Sequence, residues 1–254
     1  MARPLRIAAF GFAVLFAAPA TAAEVTVISA GAVRSLIAEM IAEYSKRSGD
    51  KFSFTVGTTG QLRAIIASGK PADLLITSAP LMSELEKTGR LTPGSRTDLG
   101  RVGIGVVIRE GAAAPDLSTP DALRKALVDA RSFTYTDPKL GGTSGLHVIR
   151  LLKRFGILAE IEKKAVYAKG GRDIAQKVAR GEVELGITLI SEIVPVEGAR
   201  LAAPLPEPLQ LWTVYAAAIP RSSTQPAAAR AFVAALTSPA LAERWKSGGF
   251  EPPK

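Results

Sequence analysis

The sequence predicts an α/β protein of two α/β lobes, with a ligand cleft between them and crossing strands joining them. Three observations predict it. Short apolar β runs alternate with amphipathic helical stretches along nearly the whole chain. Two early β runs each end in small or hydroxyl residues just before a helix, which aims unpaired helix N–H groups from two turns at one place. Beyond the first 23 residues about 230 remain, enough for one large or two modest cores, and no fixed-period repeat or low-complexity linker divides them. The predicted division is 1–23 as a leader, 24–101 with 218–254 as the first lobe, and 102–217 as the second.

Taken in order, residues 1–23 have the plan of a secretory signal peptide. A basic start (Arg3, Arg6) precedes an apolar stretch from Ile7 to Phe16, then Pro19 and a small-residue run with cleavage after Ala22 or Ala23. The apolar run is shorter than the ~20 residues that span a bilayer. The chain has no cysteine, which excludes disulfides, thiol catalysis and lipid attachment through a cysteine. Export without a lipid anchor points to the periplasm.

EVTVIS (Glu24–Ser29) and KFSFTVG (Lys51–Gly57) read as strands. Between them Val33, Leu36, Ile37, Met40, Ile41 and Tyr44 form one apolar helical stripe, and Leu62, Ile65 and Ile66 repeat it more briefly. Gly69-Lys70-Pro71 ends the second helix, because proline cannot continue a helix interior. ADLLITSA reads as a buried strand and LMSELEKTG as a short helix closed by Gly89, so the opening is a βαβαβ run of parallel strands covered on both faces. VGIGVVIRE (Val102–Glu110) is an apolar β run, followed by a Pro- and Ala-rich loop and a helix over Asp121–Ala130. SFTYTD is a strand, PKLGGTSG a loop and LHVIRLLKRFG a helix. Lys164–Ala168, the glycine-led helix GGRDIAQKVARG and the strand ELGITLIS follow. Pro204, Pro206 and Pro208 mark a crossing segment, LWTVYAAAIP a strand, and two alanine-rich helices end the chain.

Composition narrows function. The net charge of +9 falls to +7 once the two leader arginines are removed. The basic residues are scattered, with no run longer than two and few aromatics between them, which is not a nucleic-acid surface. Steering of small anions and a merely solvated surface both fit this charge. One histidine, no cysteine and no spaced acidic cluster give no metal site. His147 lies three residues after Ser144, but neither an orienting acid nor an oxyanion arrangement accompanies the pair. Asp73 and Asp137 at strand ends read as structural hydrogen-bonding groups, and Trp212 and Trp245 as core aromatics.

EVTVISAG, GTTGQLRAIIASGKPADLLITSA and the closing LTSPALAERWKSGGF resemble, in order and spacing, the periplasmic substrate-binding proteins of ABC importers, above all the molybdate-binding branch. The resemblance covers essentially the whole chain after the leader. It implies the type 2 periplasmic binding fold, capture of a tetrahedral oxyanion without catalysis or cofactor, a monomer, and delivery of the anion to a membrane permease. It places the family's first-loop serine at Ala32, with Ser29 three residues earlier, and its second-loop serine at Thr59, beside Thr58. Backbone contacts fall at Ser144 and Gly171, and the closing tyrosine at Leu189.

Ala32 and Leu189 thus lack the polar group the family uses. A buried donor removed while the charge stays leaves about 1–3 kcal/mol uncompensated. Ser29, Thr143, Ser144, Arg34 and Arg172 are the candidates to compensate, and forked arginine contacts would suit a small organic carboxylate instead of molybdate or tungstate. The hydroxyls at Thr58-Thr59 and Thr143-Ser144 serve either an anion or plain helix capping, and each arginine either touches ligand or is simply exposed. An exported serine hydrolase using Ser144 and His147 is the reading from a different class.

Overall fold

The computed structural model describes residues 22–253. The leader expected over 1–23 therefore lies outside the described residues, save Ala22 and Ala23. In chain order β1 (Glu24–Ala30), α1 (Arg34–Ser48), β2 (Lys51–Gly57), α2 (Thr59–Ala67), β3 (Leu74–Ser78) and α3 (Ala79–Lys87) form the opening βαβαβ run. α1 buries Leu36, Ile37, Met40 and Ile41, the stripe read from spacing, and stops at Gly49, whose φ of 80° suits glycine alone. β4 (Thr97–Val102) and β5 (Ile104–Arg109) follow, then α4 (Pro120–Asp129), β6 (Phe133–Thr136), α5 (Thr143–Arg154) and α6 (Leu158–Glu162). The chain continues through β7 (Ala165–Ala168), α7 (Gly171–Ala179), β8 (Leu185–Leu189), α8 (Ile190–Ile193) and β9 (Ala199–Pro204). It closes with β10 (Thr213–Ala218), α9 (Pro226–Leu236) and α10 (Ala242–Ser247).

Two five-stranded sheets result, in the orders β2-β1-β3-β10-β4 and β7-β6-β8-β5-β9. The expected parallel pairing holds for β2-β1-β3 and for β7-β6-β8. β10 runs antiparallel to β3 and β4, and β5 antiparallel to β8 and β9. These are the strands adjoining the two crossings between sheets, where no helical crossover turns the chain round. Helices cover the sheets, so β3 and β8 are buried at every residue.

The apolar run VGIGVVIRE is divided at Gly103: Val102 ends β4 in the first sheet, and Ile104 begins β5 in the second. The chain returns through Gln210–Trp212. Gln210 straps the two crossings together, its Oε1 accepting the Ile104 N–H at 2.8 Å and its Nε2 donating to the Ile104 carbonyl at 3.0 Å. A Cβ at Gly103 would stand 3.1 Å from Gln210 Nε2, so a side chain there would press on this strap. β10 pairs wholly within the first sheet, and residues 213–217, expected in the second lobe, belong with the first.

Asp73 anchors the C-terminal return to the first lobe. Its carboxylate accepts the N–H groups of Thr26, Thr224 and Gln225 at 2.9, 2.8 and 3.0 Å, and the Ser223 hydroxyl at 3.0 Å. Burial pushes its pKa up, but these donors outweigh burial and hold it below the ordinary value.

Candidate functional site

Several helix starts converge on one cleft of about 380 Å³ between the sheets. Its walls include Gly31, Ala32 and Arg34 after β1, Thr58 and Thr59 at α2, and Gly142–Ser144 at α5. Gly170–Arg172 at α7, Leu189 and Glu192 around α8, and Tyr215 of β10 complete it. The lobes touch across it. Thr58 Oγ1 donates to the Leu140 carbonyl, Gly60 N–H donates to the Gly141 carbonyl at 3.1 Å, and the Thr59 and Thr143 hydroxyls meet at 3.4 Å. The Gly60–Gly141 contact tolerates no larger residue, since a Cβ on Gly60 would come within 2.6 Å of the Leu140 carbonyl oxygen.

The helix starts differ in what satisfies their N–H groups. α2 is capped locally: Thr58 Oγ1 accepts the Gln61 N–H at 3.3 Å, and Gln61 Oε1 accepts the Thr58 N–H at 2.9 Å. With its hydroxyl also turned to Leu140, Thr58 serves capping and lobe contact. α5 begins after Gly142 with no side-chain cap, so its first N–H groups open on the cleft. α7 begins at Gly171 after the uncapped Gly170, and the Glu192 carboxyl packs directly against this start.

Glu192 was not anticipated from sequence. Its Oε2 accepts the Thr188 hydroxyl at 3.0 Å, and a Cβ on Gly171 would stand 1.9 Å from that oxygen. Gly171 is therefore required by this carboxyl. Its Oε1 lies 3.1 Å from where a Gly31 Cβ would be, so the group is wedged between a loop of the first lobe and α7 of the second. Burial pushes its pKa up to about 7, against the lowering by Thr188 and Gly171. Tyr215, equally unanticipated, is 2% exposed, and burial, with Glu192 nearby, pushes its hydroxyl above the ordinary tyrosine range.

Ala32, Thr58, Thr59, Ser144, Gly171 and Arg172 all line this cleft, as do Arg34, Thr143 and Leu189. Ser29 does not. β1 extends to Ala30, so Ser29 is a fully buried strand residue whose hydroxyl donates to the Ala30 carbonyl at 3.2 Å. Both arginines are exposed at the cleft edge, and Arg172 Nη1 donates to Ser35 Oγ of the other lobe at 2.8 Å. His147 turns away from Ser144: its Nε2 donates to the Leu209 carbonyl at 2.8 Å. Among the described residues no hydrogen bond joins His147 to Ser144, the pairing that a serine nucleophile would use.

A family model described as "Bacterial extracellular solute-binding protein" matches residues 25–251. The chain belongs to this family. An aconitate isomerase from a Pseudomonas species is 31% identical over 96% of this chain and 95% of its own. The molybdate-binding protein ModA of Escherichia coli (strain K12) is 25% identical over 96% of this chain and 95% of its own. The solved periplasmic molybdate-binding protein of Azotobacter vinelandii superposes with a TM-score of 0.75 at 20% identity, covering 91% of this chain and all of that one. The expected resemblance holds: this is a ModA-like solute-binding protein with the two-lobed periplasmic binding fold.

Proposed function

We propose that this solute-binding protein captures a small organic anion with two or more carboxylates in the periplasm and delivers it to the permease of an ABC importer. The observation that carries this reading is the pair Arg34 and Arg172 at the cleft, beside Lys169, with Ala32 and Leu189 also on its wall, where the family resemblance would place hydroxyls. Forked guanidinium contacts match carboxylates, whereas a bare tetrahedral oxyanion relies on neutral N–H and hydroxyl donors all round. A relative named for aconitate, a tricarboxylate, supports the same ligand class. Export is part of this proposal. Cleavage after Ala22 would leave the amine of Ala23 beside Asp50, whose Oδ1 accepts the Ala23 N–H at 2.9 Å.

The uncapped start of α5 and the Thr59–Thr143 hydroxyl pair favour a second reading, molybdate or tungstate, consistent with the names of the ModA relatives. A thermal-shift panel of molybdate, tungstate, sulfate, citrate, aconitate, tartrate and fumarate on refolded, ligand-free protein separates the two. A ligand present at about 100 times its Kd stabilises by about 2.7 kcal/mol. Stabilisation by polycarboxylates and none by molybdate is expected. Micromolar stabilisation by molybdate alone would overturn the organic-anion reading. Interconversion of cis- and trans-aconitate, followed by ultraviolet absorbance, would replace pure capture with catalysis.

A further inference from the structure

We propose that Glu192 is the specificity-determining residue of the cleft, a built-in carboxyl that shares the α7 donors with the incoming anion, so that the anion is captured together with one proton. The inference rests on the anion-capture reading above and deepens it.

A carboxylate on the wall of an anion cleft repels the ligand unless it is neutral. Glu192 lines that wall directly, and its Oε2 lies against Gly171 at the α7 start, where an incoming anion would seek the helix N–H donors. Its position is enforced from both lobes. Gly171 leaves no room for any side chain but that carboxyl, Thr188 holds Oε2, and Oε1 faces the Gly31 loop. With Oε2 accepting, the proton resides on Oε1, which can donate to an oxygen of the ligand.

The surroundings favour this protonated form. The titratable groups sharing the cleft are Arg34 beyond the Gly31 turn, Lys169, Arg172 and Asp173 around the α7 start, and Tyr215 on β10. Arg172 donates to Ser35, Asp173 Oδ2 accepts the Lys169 N–H at 2.9 Å, and Tyr215 stays neutral. Burial dominates the pKa of Glu192, and no cation lowers it. A bound anion adds negative charge at close range and drives it higher still. Ligands that can accept a hydrogen bond from a neutral acid are thereby selected.

The test measures dissociation constants of fumarate, tartrate and molybdate between about pH 6 and pH 8, where each is fully ionised. Wild type should weaken about tenfold over that range, because the competent, protonated fraction falls tenfold per unit above the pKa. Glu192→Gln keeps the shape and supplies a permanent donor, so its affinity should change less than about twofold over the same range and match or exceed wild type at pH 8. Thr188→Val removes the hydroxyl that favours the charged form and should move the wild-type profile to higher pH, a shift that a purely structural role would not produce. Equal pH slopes in wild type and Glu192→Gln would overturn the proposal while leaving anion capture intact. Absence of binding by all three anions at every pH would sink the capture reading and this inference with it.

Discussion

Asp73 and Glu192 are both carboxyls enclosed by protein, one in the first lobe away from the cleft and one on the cleft wall, and they are driven in opposite directions. Asp73 receives three N–H groups and two hydroxyls at hydrogen-bond distances of 2.8–3.2 Å, and its pKa is held down. Glu192 receives one side-chain hydroxyl, from Thr188 at 3.0 Å, and its pKa is pushed up to about 7. The difference is that hydrogen-bond donors outweigh burial at Asp73 and do not at Glu192. Fully satisfied, a buried carboxylate is a permanent strut. Half satisfied, it waits for a proton, which is the property a conditional anion site needs.

The largest effect that probes this contrast is expected at the strut. Asp73→Ala strands the N–H groups of Thr26, Thr224 and Gln225 and should cost about 2–4 kcal/mol of unfolding free energy at neutral pH, read by urea denaturation. Because the folded pKa is depressed, this stability is present above the unfolded value and lost as pH falls through the folded one, so wild type and variant should converge in acid. A loss below about 0.5 kcal/mol would make Asp73 an ordinary surface acid.

Glu192→Gln should act with the opposite sign. The folded pKa lies above the ordinary 4.5, so the stability tied to its proton is complete below about pH 4.5 and is lost as pH rises through about 7. Ligand-free Glu192→Gln should therefore melt higher than wild type at pH 8, by at most about 3 kcal/mol, and alike at pH 5. A variant that melts lower at both pH values would show the carboxyl to be a structural ion.

Gly171→Ala places a methyl on the carboxyl of Glu192 and should cost about 1–3 kcal/mol, with loss of the pH-dependent binding profile. The smallest change is expected at α2, where the cap is neutral and local. Thr58→Ala should lower stability by about 1 kcal/mol and leave the pH profile of binding as it is. A pH profile altered in Thr58→Ala would blur the distinction between the neutral cap and the ionisable one.

Much of the fold was legible because periodicity and punctuation are local. The stripe from Val33 to Tyr44, the stop at Gly69-Lys70-Pro71 and the glycine-led α7 all appear where spacing put them. The crossing was not legible, since VGIGVVIRE is uniformly apolar and only non-local pairing with β10 and β8 shows that Gly103 divides it. Ser29 was misplaced by a single residue of strand length, enough to move it from a loop into the sheet interior. Glu192 sits in ISEI, four residues like many surface helices, and only burial against Gly171, Thr188 and Gly31 distinguishes it. Asp73 could be read as structural from its place before a buried strand, but the number of its donors could not, because four of them come from residues 223–225.

The most direct test counts protons. The tightest-binding anion of the thermal-shift panel would be titrated calorimetrically into wild type and Glu192→Gln at about pH 8, in buffers of different ionisation heat. The account predicts uptake of close to one proton per anion by wild type and close to none by Glu192→Gln. Equal proton uptake in the two proteins would contradict it.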